Sequence, residues 1–479
     1  MLSINKSLFI KIFLTFIFFV IFYKFWDFFS LFPIGFMGDD SYFYSQLAYN
    51  IGVNKISSWD GTNYTNSYHL IWQLILSLTS LFLSLFTKIK DYHLMGHVFI
   101  FLIILITILK YYSNNYLDRI VIISIVISGY LIIDHITVIF LLFVIFKEFQ
   151  KQIKNNNNSY FLLIAFFLIP LCRVDTIAIV GFIPLFFLIK TRDKFYFYLL
   201  LSLLFGLIVH FSIYYIIAGE FYSVSSYVKM SQNITNTMEH RIVNNVIYSN
   251  LFPLGWLTLK IRGYILFLFF IFFLINFLIF KKKQNLLFWG FFTGLYSYFF
   301  INFFSNYIDT WYYSIMFATL FILMKLINVN NLIKVIPLTL LYSFLILLFF
   351  GKFYNSAKYY DHRTNYINEI KQIENYIPKN SKIYQYDLAG HLGFYSEIQV
   401  INGDGRVNSF EYAQDLLNKN LSNYLVDNKI CYLTNIFTQK LNEKKVIINQ
   451  SGLLVTFDDV DLIKKFKNFS IYKLKKCKN

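Results

Sequence analysis

Two adjacent carboxylates, Asp39 and Asp40, open the run Gly38-Asp39-Asp40-Ser41-Tyr42-Phe43-Tyr44-Ser45-Gln46-Leu47-Ala48-Tyr49-Asn50-Ile51-Gly52. A carboxylate within hydrogen-bond reach of a hydroxyl can take its proton as the oxygen attacks. Two carboxylates side by side also suit a hard divalent cation such as Mg2+ or Mn2+. Asp at a helix start caps free backbone N–H groups as well, but capping needs one Asp and here there are two. Phe43, Leu47 and Ile51 recur every four residues. The run is therefore expected to be a short amphipathic helix lying on a membrane, stopped at Gly52.

The elements that must position these acids follow from composition. Of 479 residues, 57% are hydrophobic and 14% charged. That is more apolar surface than a soluble protein can hide, so the expected fold class is an α-helical polytopic membrane protein. The net charge of +17 lies mostly between apolar runs and in the tail, as basic loops that orient a membrane protein do. A lipid bilayer is thus an expected partner and nucleic acid is not.

The apolar runs are Ile12–Phe32, Leu70–Phe86, Leu94–Leu109, Ile120–Phe146, Tyr160–Cys172, Ile177–Ile189, Phe195–Ala218, Tyr264–Phe280, Leu286–Phe304, Trp311–Ile327 and Val335–Phe350. Each counted once, they predict about eleven crossings. Asp134-His135 interrupts the fourth run, as a broken helix or a re-entrant turn. Lys88, Lys90 and the lysines of 147–154, 190–194, 281–283 and 334 fall on one side, the cytoplasm, with the N-terminus. The first outer loop 34–69, the long outer loop 220–263, residues 305–310 and everything after Gly351 fall outside. Tyr160–Cys172 and Ile177–Ile189 each span only about 20 Å against a hydrocarbon core of ~30 Å. Their shared turn, Arg173-Val174-Asp175, is expected in a recess open to the outer side.

Residues 1–351 thus form the transmembrane domain, and 352–479 a soluble extracytoplasmic α/β domain. In the latter, helix-like Tyr366–Tyr376 and Phe410–Leu417 alternate with strand-like Lys382–Tyr386, Ile398–Ile401 and Ile430–Leu433. Cys431 and Cys477 are free to pair there, although nothing in their spacing demands it.

An acidic pair after the first span, followed by an aromatic-rich juxtamembrane helix, resembles the polytopic C-type glycosyltransferase superfamily (GT-C), and within it the protein mannosyltransferase and aminoarabinose transferase-like group. Ser58-Trp59-Asp60 continues the likeness. Thr65-Asn66-Ser67-Tyr68-His69-Leu70-Ile71-Trp72 is similar to the Asn-Gly-x-His-Pro-Leu-Trp segment of bacterial members, with Ser67 for Gly and no Pro after His69. Arg173-Val174-Asp175 resembles their Arg-x-Asp/Glu turn. Ser226-Tyr227-Val228-Lys229 resembles a Ser-Gly-x-x-Lys loop without its Gly, and Asp309-Thr310-Trp311-Tyr312-Tyr313 a Trp-Tyr motif without its nearby Arg. Residues 387–396 and 402–405 are similar to the outer domain of these proteins. Each motif is weak, and the likeness rests on their order.

The resemblance implies transfer of a sugar from a polyprenyl-phosphate donor to a glycan, lipid or protein acceptor, with inversion, on the outer face of a bacterial cell membrane. Asp39 then takes the role of base, with Asp40 orienting acceptor or base, or the two roles exchanged. A divalent cation on the pair is the cofactor to consider. The departing lipid phosphate needs fixed cations, and Lys229, Arg173, Arg241 and Arg262, with His240, are placed to supply them. Arg173 has an alternative in pairing with Asp175, and Arg262 in anchoring at the interface. Tyr42, His69, Trp311 and Tyr312 are expected along the acceptor and lipid groove. Asp387 and Asp404 are expected to cap turns. A flippase of lipid-linked sugars, or a non-catalytic membrane scaffold, would share the polytopic pattern.

Overall fold

The computed structural model describes residues 37–113, 116–127, 129–155, 157–234, 286–303, 310–326, 360–386, 388–435, 439–441, 444–450 and 453–477. It is mostly helical, with a small C-terminal sheet region. Among the described residues three segments are long and apolar enough to cross a membrane: Lys90–Tyr112, Val174–Thr191 and Lys194–Ala218. The expected spans Ile12–Phe32, Tyr264–Phe280 and Val335–Phe350 lie outside the described residues.

In chain order the helices of the first part are α1 (Asp39–Tyr49), α2 (Leu70–Leu83), α3 (Lys90–Tyr112), α4 (Tyr116–Ile127), α5 (His135–Asn155), α6 (Tyr160–Cys172), α7 (Ile177–Val180), α8 (Phe182–Thr191), α9 (Lys194–Ala218), α10 (Val224–Ile234), α11 (Leu286–Phe303) and α12 (Thr310–Leu326). Phe197, Leu201, Leu204, Phe205 and Ile208 on α9 are exposed. A bilayer is the solvent in which such a face is stable.

Three expectations are corrected. The first is the helix stop at Gly52. A π turn, Asn50–Asn54, carries the helix past it, and Lys55 ends the element in the left-handed conformation at φ 61°. Gly52 serves close packing instead, since a Cβ there would stand 2.6 Å from the Ser77 carbonyl oxygen on α2.

The second concerns Ile120–Phe146, counted as one crossing: it is two helices, and the break ends at Asp134-His135, where a broken helix is one of the two forms expected. Between α4 and α5 the backbone leaves the helix, with Tyr130 and Ile132 at φ 70° and 62°. Buried carbonyls freed by such a break must find donors. Ser41 Oγ donates to Leu131 O (2.6 Å), Trp72 Nε1 donates to Ile132 O (3.1 Å), and His135 Nε2 lies 2.8 Å from Val126 O.

The third is the side on which Lys88 and Lys90 stand. Lys90 Nζ donates to the carbonyls of Phe394 (3.1 Å) and Ser396 (3.4 Å) in the C-terminal domain, and Tyr49 OH donates to Lys88 O (2.9 Å). A side chain that holds a domain's carbonyls cannot lie across a membrane from it. Lys90 therefore shares a side with that domain. Helix α2 buries Trp72, Gln73, Leu76, Ser77 and Ser80 and exposes Leu74, Leu78, Leu81 and Phe82, one face packed and the other apolar and open.

The C-terminal part has helices α13 (Tyr360–Ile370), α14 (Ala389–Tyr395), α15 (Phe410–Leu417) and α16 (Leu421–Asp427). Its strands are β1 (Lys382–Gln385), β2 (Gln399–Asn402), β3 (Tyr432–Asn435), β4 (Gln439–Leu441), β5 (Lys444–Gln450), β6 (Leu453–Thr456), β7 (Val460–Lys465) and β8 (Ser470–Leu474). One sheet has the order β2-β1-β3-β8-β7, parallel across its first three strands, and the other is β4-β5-β6. Side chains alternate faces along a strand. Ile383 accordingly joins a core with Ile370, Leu392 and Val400, while its neighbour Tyr384 joins Ile401, Tyr412 and Leu416. Helices thus cover both faces of the parallel strands. A Cys431–Cys477 disulfide ties the entry to β3 to the chain after β8.

Candidate active site

Gly38 precedes α1, and its N–H donates to Ser41 Oγ (3.2 Å). Neither acid is therefore the cap residue; both lie in the first turn, where the helix dipole favours negative charge. Neighbours on a helix point about 100° apart, so the two diverge. The Asp39 carboxylate turns to the amino end of α14, where it accepts from Gly390 N (3.0 Å), His391 N (3.2 Å) and His391 Nδ1 (2.9 Å). A Cβ on Gly390 would come within 2.4 Å of the Asp39 carbonyl oxygen. Only glycine permits that approach. Asp40 instead lines a cavity of about 210 Å³.

The membrane-helix side of this cavity, its floor, is charged. Asp134, at the α4–α5 break, is buried and accepts from Arg173 Nη1 (3.2 Å) and Tyr44 OH (3.3 Å). Arg173 also holds Asp175 through Nε (3.0 Å) and Nη2 (2.9 Å), and its guanidinium stacks 4.2 Å from the centre of the Tyr312 ring. His69, which precedes α2, stands 3.5 Å from Asp134 Oδ2. Burial, then the nearby Arg173 charge, pushes the His69 imidazole well below its ordinary value against the opposing pull of Asp175. Burial and the Asp134 carboxylate push the Tyr44 phenol up, so it stays a donor.

The wall bearing Lys229 is built from α10. Asn66 Oδ1 accepts from Val224 N (3.1 Å), and Ser67 Oγ accepts from Ser225 N (3.0 Å), which seats the start of α10 on the segment before α2. Val224 and Val228 pack with Ala413 of α15. Ser223, Ser225, Ser226 and Lys229 then line the cavity together with Asp404, Arg406 and Val407 of the C-terminal domain, its roof.

The structure thus brings four of the expected residues to one cavity: Asp40, His69, Lys229 and Tyr312. Three others are placed differently. Asp39 engages α14. Tyr42 is fully buried against His391, Phe394 and Tyr395, with ring centroids 4.2, 5.7 and 5.5 Å away, and so does not line the groove. Arg173 is committed to Asp134 and Asp175 beneath the cavity. Arg241, Arg262, His240, Asp309, Asp387 and the Trp311 side chain lie outside the described residues. Asp60 knots its own loop, accepting from Ser58 Oγ (2.9 Å) and the N–H groups of Thr62 (2.9 Å) and Asn63 (2.8 Å).

The acidic pair does not fit a shared divalent cation, because the Asp39 oxygens are taken up by α14. Among the described residues no group of three or more His, Cys, Asp or Glu side chains is placed to hold a metal ion. Sequence reasoning missed Tyr44 and Arg406 and treated Asp404 only as a turn cap. The available signal was that residues 403–407 follow the carboxyl end of a strand in an α/β segment, where ligands gather in such sheets. No protein-family model matches the chain, and no curated protein matches it.

Proposed function

We propose that this chain is an inverting integral-membrane glycosyltransferase of the GT-C superfamily. It moves a sugar from a polyprenyl-phosphate donor to an acceptor hydroxyl on a glycan, lipid or protein at the extracytoplasmic face. The observation that carries the reading is the convergence of Asp40, His69, Lys229 and Tyr312, from four separate segments, on one cavity.

Asp40 takes the base role ahead of Asp39, because Asp40 borders the space where an acceptor would sit. The acceptor O–H proton passes to Asp40 as its oxygen attacks the anomeric carbon from the face opposite the phosphate. The anomeric C–O bond breaks, and its electron pair leaves with the polyprenyl phosphate, whose growing charge Lys229 offsets. Neutral His69 and the Tyr44 hydroxyl offer hydrogen bonds to sugar hydroxyls. Asp134 and Arg173 fix the floor.

About eleven crossings fit this reading with two changes that cancel. The α4–α5 pair supplies two crossings where one was expected, and α2 supplies none, which extends the first outer loop from 34–69 to 34–89. The Cys431–Cys477 disulfide suits an oxidising compartment, as an extracytoplasmic C-terminal domain requires.

The test is sugar transfer by the purified full chain from a labelled polyprenyl-phosphate sugar. Asp40→Asn is expected to abolish transfer while the protein still folds. Full activity in Asp40→Asn would remove the enzyme reading and favour a flippase of lipid-linked sugars.

A further inference from the structure

Lys229 is not the sole cation lining the cavity, and its companion comes from the other end of the chain. Arg406 belongs to the loop that leaves β2; its side chain is half-buried, with Nε 3.9 Å from Oδ2 of Asp404, which lines the same cavity. That loop is held from within. Asp404 Oδ1 accepts from Arg406 N (2.8 Å) and Asn402 Nδ2 (2.7 Å), Asn408 Nδ2 donates to Asn402 O (2.8 Å), and Tyr412 OH donates to Gly403 O (3.0 Å). Three residues after Val407, α15 begins, and it carries the patch that seats α10. Phe410 packs against Tyr222 and Tyr227 with ring centroids 5.6 and 5.9 Å apart. The elements bearing Arg406 and Lys229 are therefore braced on each other, so the two cations share one support.

An ammonium and a guanidinium beside serine hydroxyls suit a tetrahedral oxyanion, and a guanidinium presents the planar fork that phosphate oxygens match. We infer that Arg406, supplied by the C-terminal domain, forms with Lys229 a clamp on the phosphate of a polyprenyl phosphate. This inference deepens the proposed function and rests on it. The C-terminal domain is then part of the binding site, and Asp39 is a positioning residue that docks the domain through α14.

The test is equilibrium binding of labelled polyprenyl phosphate to the purified full chain, with polyprenol and inorganic phosphate as the other arms. Arg406→Gln is expected to weaken polyprenyl-phosphate binding roughly tenfold or more and to leave polyprenol binding unchanged, which also reports an intact fold. Arg406→Lys, keeping the charge and losing the fork, is expected to fall between. Competition by inorganic phosphate locates recognition in the headgroup alone. Lack of competition assigns it to the lipid-borne phosphate, and either result supports the clamp once the variant has lost affinity. Wild-type affinity in Arg406→Gln, or equal wild-type affinity for polyprenyl phosphate and polyprenol, overturns it. Sugar transfer measured on the same preparations separates the two readings. Unchanged affinity in Arg406→Gln with active transfer by the wild-type chain removes only the clamp, and lost affinity in Arg406→Gln with no transfer by the wild-type chain removes only the transferase.

Discussion

The floor of the cavity is held by charges joining the start of α5 to the end of α6, Arg173 to Asp134 at 3.2 Å across 39 residues, in surroundings where both are buried. The roof is held by short-range hydrogen bonds, Asp404 to Asn402 and to Arg406, each two residues away, and its side chains stay partly open. A buried ion pair stands only while every member is present, because removing one strands the other's charge. A loop knotted by its own side chains is complete before it meets anything. The floor is therefore made by folding the helix bundle, and the roof arrives ready-made on the C-terminal domain.

The sharpest way to break this comparison is to separate chemistry from support. Asp40→Asn should lower sugar transfer by roughly 10²–10⁴-fold, the usual worth of a general base, with unfolding temperature unchanged. Arg173→Ala should instead reduce stability by about 3–5 kcal/mol, measured as thermal unfolding in detergent, because Asp134 and Asp175 lose their shared partner. Loss of the Cys431–Cys477 bridge through a double Cys→Ser change should cost about 2–4 kcal/mol. Its hydrogen-exchange signature should be confined to β3, β8 and their neighbours, leaving α3 and α5 protected. At the roof, Asp404→Ala should cost only about 1 kcal/mol; a loss equal to that of Arg173→Ala would abolish the distinction between the two regions.

The smallest effect is on pH. His69 is held well below its ordinary 6.5 in the folded chain, so the unfolded chain binds a proton that the folded one refuses. Stability from this group is present above about pH 6.5 and falls as the pH drops below it. His69→Gln should flatten that acid-side slope in unfolding curves taken from about pH 5 to 7.

Much of the architecture was readable from local pattern. Helix α6 spans Tyr160–Cys172 as expected, and α15 spans Phe410–Leu417 because Ser409 caps it, accepting from Tyr412 N (3.3 Å). The Asp134 break was visible as an ionisable pair inside an apolar run. The placement of α2 was not legible. A helix along the membrane and a helix across it both show lipid the same residues, here Leu74, Leu78 and Phe82, and hydropathy cannot tell them apart. Lys90 misled for a related reason. A lysine next to an apolar run reads as a cytoplasmic marker, but its ammonium is spent on two carbonyls some 300 residues away. The divergence of Asp39 from Asp40 follows from helical geometry, yet which of them met the cavity depended on where α14 docks, and no pattern near residue 39 encodes that.

The Asp39 carboxylate finds its partner 351 residues later, at Gly390. The partner of α1 is thus made long after α1 itself, and the contact closes only once α14 is in place. A cavity lined by both Asp40 and Arg406 cannot exist until the last segment has emerged, folded and docked. Under the proposed function, a chain lacking the C-terminal domain is therefore expected to lack one wall of its site, the one formed by Asp404, Arg406 and Val407.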